Sequence, residues 1–218
     1  MITIGIDEAG RGPVIGPMII AGVGADEEVS VKFKSMGVKD SKMLSIKRIF
    51  LLEREILNLI KNYYFITLSA GEIDDRFSNG KNLNYLELDN MAEIANKLEG
   101  ETVIIDSPSK NTEKVRLYLQ KKIINKRVIA ENYADKNHIE VSAASIIAKA
   151  NREREVDRIK KIIGYDFGSG YPSDPKTANF IKIIAQNGKI KQDPYKKFIR
   201  KSWSTVKATD YKTLNFFS

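Results

Sequence analysis

The chain contains no cysteine and a single histidine, His138. The first absence excludes disulfides, thiolate zinc sites and a cysteine nucleophile. The second makes a histidine-rich metal centre, or a Ser-His-Asp triad with a second histidine in support, hard to build. His138 follows the polar stretch Asp135-Lys136-Asn137, so it is expected to face solvent. No apolar run approaches membrane-spanning length. The chain opens directly on a strand pattern with no leader, so a cytoplasmic location without membrane contact is expected. Any metal must be held mainly by carboxylates, which points to Mg²⁺ or Mn²⁺ rather than Zn²⁺.

The charge that is present is unbalanced. Lys and Arg number 36 against 28 Asp and Glu, a formal net charge of +8 over 218 residues. A basic surface favours polyanionic partners, nucleic acid first, although solubility alone would also account for it. Hydrophobic residues make up 42%, enough for a core.

Apolar periodicity divides the chain into elements. Ile2, Ile4 and Ile6 alternate with Thr3 and Gly5, which predicts a strand running into Asp7. Residues 14 to 23 predict a second strand, hairpin partner to the first. Ser45 is placed to cap a helix carrying Ile49, Phe50, Ile56 and Ile60. Tyr63–Leu68 predicts a third strand, and Leu83–Leu98 a helix with Gly100 beyond its end. Thr102-Val103-Ile104-Ile105 is the fully apolar run of a buried central strand that delivers Asp106 at its carboxyl end. A helix over Glu113–Lys122, a short strand over Arg127–Ala130 and a long helix over Val141–Ile163 follow, with Ala144 and Ala148 as a small-residue stripe for close packing. Asp174-Pro175 starts another helix. Lys189–Lys207, basic with Asp193 as its one acidic residue, places Tyr195, Phe198, Ile199, Trp203 and Val206 at helical spacing. The pattern is an α/β fold, a mixed sheet flanked by helices. It divides into a catalytic domain over residues 1–185 and a basic C-terminal helical segment over 186–218.

The most informative stretch is Asp7-Glu8-Ala9-Gly10-Arg11-Gly12-Pro13. Adjacent carboxylates at a strand end repel each other unless a cation offsets them. The glycines beside them suit a loop whose backbone approaches a ligand closely. Asp106 and Asp135 lie at other element ends, where sites on α/β scaffolds collect. Four carboxylates can hold two divalent ions about 4 Å apart for an in-line phosphoryl displacement. By spacing alone, Asp106 could equally cap the Ser107-Pro108 turn and Asp135 could be an ordinary loop residue.

Asp7 to Pro13 resembles the signature of type 2 ribonucleases H. The resemblance continues in order through Asp40-Ser41-Lys42-Met43-Leu44, Ile104-Ile105-Asp106 and Ala134-Asp135-Lys136, then through residues 141–149 and 168–174. It covers residues 2 to about 175, the chain resembles the ribonuclease HII family, and its length and basic C-terminal segment resemble the archaeal branch. It implies a ribonuclease H-like fold. It also implies hydrolysis of the RNA strand of RNA–DNA hybrids and incision at single ribonucleotides in duplex DNA, leaving 3′-hydroxyl and 5′-phosphate ends. Carried over, Asp7, Glu8, Asp106 and Asp135 would bind the metals, two ions with substrate present. Gly10, Arg11 and Gly12 would read the ribose 2′-hydroxyl, Tyr171 would rest beside the following nucleotide, and Lys42 would contact the phosphate near the cut.

Physics is consistent with each role. The 2′-hydroxyl distinguishes RNA from DNA, and glycines let amides and carbonyls reach it. Ser41, Ser142, Ser145 and Lys149 lie in matching blocks. Ser142 could equally cap the long helix, and Asn132 and Arg152 could be structural. A monomer is expected. The terminal Thr213-Leu214-Asn215-Phe216-Phe217-Ser218 could dock on a sliding clamp. Two other readings stay open. A non-catalytic nucleic-acid-binding module has no need of four acidic residues, and a junction resolvase needs neither the Gly-Arg-Gly reader nor Tyr171.

Overall fold

A computed structural model describes residues 1–38, 44–76, 80 and 82–207. In chain order the elements are β1 (Thr3–Ala9), β2 (Met18–Ala25), α1 (Glu27–Ser35), α2 (Ile46–Leu59), β3 (Tyr63–Leu68), α3 (Ala70–Asp75) and α4 (Leu83–Lys97). They continue with β4 (Thr102–Asp106), α5 (Thr112–Gln120), β5 (Arg127–Glu131), α6 (Ala134–Asn137), α7 (Ile139–Ile163) and α8 (Pro175–Gln186). The five strands form one sheet in the order β3-β2-β1-β4-β5. β1 runs antiparallel to β2 and parallel to β4, and β4 runs parallel to β5. The sheet is therefore mixed, as the sequence predicts.

The chain folds as two compact units. The first comprises residues 1–9, 19–67 and 82–151 and holds the sheet. On one face of that sheet, Ile19, Ala21 and Val23 of β2 share a core with Phe33 of α1, Leu52 and Ile56 of α2, and Ala143, Ala144 and Ile147 of α7. On the other face, Gly22 of β2 lies against Ile94 and Leu98. Caps define the helices as their sequences suggest. Ser45 accepts from the Arg48 amide at the start of α2, and Ser69 and Glu72 form a reciprocal capping box on α3.

Gly5 in β1 decides how closely α7 can approach. A Cβ at Gly5 would lie 2.2 Å from both the Glu140 carbonyl carbon and the Val141 nitrogen. These are backbone atoms and cannot rotate away. Gly5→Ala is expected to cost about 3 kcal/mol, at the upper end of overpacking penalties, read as a lowered urea midpoint with an unchanged slope. A loss below about 1 kcal/mol would show that α7 shifts freely on the sheet.

The second unit comprises, among the described residues, 10–18, 68–76, 80 and 152–207. Its core joins Val14 and Ile15 to Val156 and Ile159 of α7, Phe180 and Ile184 of α8, and Ile199. Two expectations change here. Residues 14–17 do not extend β2. Their backbone bonds instead to Gly170, Phe198 and Arg200, with Val14 N–H to the Gly170 carbonyl at 2.8 Å and Arg200 N–H to the Val14 carbonyl at 2.9 Å. Residues 189–207 do not form one amphipathic helix. Pro194 withholds a donor, and after α8 the chain makes turns, a 3-10 segment (Tyr195–Lys197) and a last helical turn at 204–207. The aromatic assignment survives, since Tyr195, Phe198 and Trp203 pack on that core. Asp174 caps α8 with Pro175 at its first position, as expected.

Candidate active site

The first unit brings three carboxylates together from separate elements. Ile6 of β1 is in parallel register with Ile105 of β4, so the next residues, Asp7 and Asp106, emerge side by side at the carboxyl ends of neighbouring strands. β5 ends one strand further out. Tyr133 then turns the chain in the left-handed region, and α6 delivers Asp135. One oxygen from each of Asp7, Asp106 and Asp135 lies within 4.8 Å of the others. Asp7 and Asp135 are buried.

The surrounding bonds hold these groups in place. The Glu8 amide donates to Asp7 Oδ1 at 2.8 Å, and the Ala134 amide donates to Asp106 Oδ1 at 3.1 Å. Ser145 hydrogen-bonds to Asp7. The Ser142 hydroxyl donates to the Asp135 and His138 carbonyls, so Ser142 sits inside α7 rather than capping it. Asn132 Nδ2 donates to the Ser109 carbonyl at 2.9 Å, tying down the loop after Asp106. His138 is part-buried and sits 3.0 Å from Glu131, not free in solvent as its neighbours suggest.

Burial is the main force pushing the Asp7 carboxyl well above its usual range, and the charges of Glu8 and Asp106 push it the same way. Glu8 acts on Asp7 through that charge, but it is not one of the three converging groups. An all-oxygen, largely buried donor set with mutually repelling charges fits a hard divalent cation, whose binding would remove the repulsion.

The second unit builds a different structure around Gly10-Arg11-Gly12. Gly10 has φ +84, and a Cβ there would meet the Arg152 side chain and the Pro17 carbonyl oxygen at 2.7 Å. Arg200 is fully buried beneath this loop. Its guanidinium donates to the carbonyls of Gly10 at 2.6 Å, Arg11 at 2.9 Å and Gly16 at 3.0 Å. Burial, then the positive charge of Arg152, lowers its pKa to about 9. Trp203 Nε1 donates to the Gly12 carbonyl at 3.0 Å.

Tyr171 stands beside the same loop. Its ring lies 3.5 Å from where a Gly12 Cβ would be. Arg152 lies over the ring at 4.8 Å and donates to the Ser169 carbonyl at 2.6 Å. Asp174 accepts from the Ser169 amide and hydroxyl, which hold its carboxyl below the usual carboxylate range and brace the turn carrying Tyr171.

The structure thus groups Asp7, Asp106 and Asp135 in one unit, and Gly10, Arg11, Gly12 and Tyr171 in the other. Lys42 and the C-terminal Thr213–Ser218 segment lie outside the described residues. Sequence reasoning missed Arg200 and Trp203 as supports of the glycine loop. Arg200 was one cation among several in a basic segment, and nothing local distinguishes it from Lys201.

Acidic side chains converging at the carboxyl ends of β1 and β4 in a mixed sheet form a group able to hold a divalent cation. The comparisons make this particular. The family model described as Ribonuclease HII matches residues 4–206, and the chain belongs to that family. It is 39% identical over 211 residues to a ribonuclease HII of Thermococcus sibiricus, covering 95% of this chain and 91% of that one. The crystal structure of the ribonuclease H2 from Pyrococcus horikoshii OT3 superposes with a TM-score of 0.88 at 33% identity, covering 98% and 99% of the two chains. The structure of the PCNA:RNase HII complex from Archaeoglobus fulgidus matches with a TM-score of 0.84 at 40% identity, covering 94% and 96%. The chain is accordingly a metal-dependent endoribonuclease acting on the RNA strand of RNA–DNA hybrids. No helix among the described residues is long and apolar enough to cross a membrane.

Proposed function

We propose that this enzyme also incises duplex DNA on the 5′ side of a single embedded ribonucleotide, leaving 3′-hydroxyl and 5′-phosphate ends. The observation that carries the chemistry is the convergence of Asp7, Asp106 and Asp135 within 4.8 Å. With Glu8 as the fourth carboxylate, this set would hold two Mg²⁺ or Mn²⁺ ions. Such ions activate a water and stabilise the leaving oxygen of an in-line displacement. The chain's own residues do the positioning. The Glu8 and Ala134 amides and the Ser145 hydroxyl set the orientation of Asp7 and Asp106 before any ligand arrives.

Selection of the cleavage point falls to the second unit. Gly10, Arg11 and Gly12 would meet the 2′-hydroxyl through backbone groups, and Tyr171 would rest against the next sugar. The packing of Gly12 against Tyr171 supports a shared task. Lys42 would supply a point charge for the phosphate near the cut. The enzyme would act as a monomer. The clamp complex of the Archaeoglobus relative supports contact of this chain with a sliding clamp, for which the C-terminal Phe216-Phe217 segment is the proposed docking element.

The test is a cleavage assay on two duplexes that differ only in one ribonucleotide. The ribonucleotide-bearing duplex should be nicked at that residue with Mg²⁺ or Mn²⁺ and remain intact with chelator. Cleavage of the all-DNA duplex at a comparable rate would overturn the sugar-reading role, and cleavage in chelator would overturn the metal role.

A further inference from the structure

We infer that Tyr133 is a substrate-binding residue, its ring resting on a nucleotide of the duplex close to the carboxylate group. The inference rests on the nuclease reading above and adds a contact to it. Tyr133 joins β5 to α6 with φ 61 and ψ 36. That left-handed conformation is uncommon for a bulky residue, and glycine or asparagine would serve the turn alone. The side chain is nevertheless a tyrosine, and it is 64% exposed. The turn requires no ring and the core does not bury it.

Its place is set by its neighbours on both sides. Asn132 holds the Ser109 carbonyl, and Ala134 donates to the Asp106 carboxylate. The backbone of Tyr133 is thereby pinned at both flanks to the chain around the end of β4, one residue from Ala134 and two from Asp135. Tyr133 therefore stands two residues from one of the converging carboxylates and one from the amide that holds another. Lys136 Nζ lies 5.4 Å from the ring centroid. An exposed aromatic face beside an ammonium is a pairing that suits a nucleotide. The ring packs on a sugar or base without demanding a sequence, and the ammonium attracts the phosphate.

Two measurements test this, with Tm recorded for every variant. Asn and Gly accept the left-handed turn, so Tyr133→Asn and Tyr133→Gly are expected to fold with an undiminished Tm. Both should raise KM on the single-ribonucleotide duplex about tenfold with little change in kcat. Both should weaken binding of an all-DNA duplex, followed by fluorescence anisotropy, by a similar factor. Tyr133→Phe keeps the ring and should retain most of the binding. Wild-type KM and wild-type affinity in both the Asn and Gly variants would overturn the inference. So would a fall in kcat at unchanged KM, which would mark a backbone role at the metal site. Failure of the wild-type enzyme to cut the ribonucleotide duplex would instead sink the proposed function, and the binding measurement would still decide for or against Tyr133.

Discussion

Asp7→Asn is expected to lower cleavage of a ribonucleotide-containing duplex by at least about a thousandfold while raising the stability of the metal-free protein. The two effects share one cause. Asp7 is a buried carboxylate within reach of the charges of Glu8 and Asp106, and its pKa is pushed well above the ordinary value of 3.8. A folded-state pKa above the unfolded one means that the folded protein holds that proton more tightly. The resulting penalty is absent below the unfolded pKa, grows as pH rises toward the folded pKa, and is fully present above it.

Asparagine keeps the shape and carries no charge, so at neutral pH the variant should melt a few degrees higher without metal, on the order of 1 kcal/mol for a chain of this size. At pH near 3 that advantage should vanish. Added Mg²⁺ should raise the Tm of the wild type and have little effect on the variant, because only the former gains from binding. Calorimetry with and without metal across pH measures all of this. A variant that cleaves normally, or melts lower than wild type in chelator, would remove Asp7 from the metal site.

Arg200→Ala is expected to lower both stability and discrimination, because one guanidinium satisfies the carbonyls of Gly10, Arg11 and Gly16. Leaving a buried carbonyl unpaired costs roughly 1–3 kcal/mol, and burying the cation offsets part of what the bonds contribute. A net loss of about 3 kcal/mol follows, near 10 °C in Tm for a chain of this length. Function should suffer beyond stability. At temperatures where the variant is still folded, the ratio of ribonucleotide to all-DNA cleavage should fall at least about tenfold, since the loop that presents Gly10 to Gly12 loses its support. Arg200→Lys should recover little, because an ammonium lacks the planar fork that reaches three carbonyls at once. A stable Arg200→Ala protein with full discrimination would show that the loop holds its shape without the guanidinium.

Strand ends and helix caps were legible because they depend on near neighbours. Ile2, Ile4 and Ile6 mark β1 by alternation, Ser45 and Asp174 mark helix starts, and the run before Asp106 marks a buried strand. Helix α1 escaped because only Ser30 and Phe33 are buried in it, leaving no apolar stripe to detect. The amphipathic spacing of residues 189–207 was real as a packing pattern and misleading as a helix, since aromatics that reach the same core can do so from turns.

What the sequence by itself determined is the chemistry available. Without cysteine and with one histidine, a metal must be held mainly by oxygen ligands, and the acidic residues stand near element ends. What only the tertiary structure decided is which of them meet and what supports the glycine loop. Asp7 and Asp106 are ninety-nine residues apart and adjoin because β1 and β4 pair in register, a choice made by the whole sheet. Arg200 stands under the glycine loop because Ile199 packs with Val14 and Ile15 and the Arg200 amide bonds to the Val14 carbonyl. A buried bond between distant residues leaves no periodic trace, because its partners are chosen by the packing of entire elements and not by spacing along the chain.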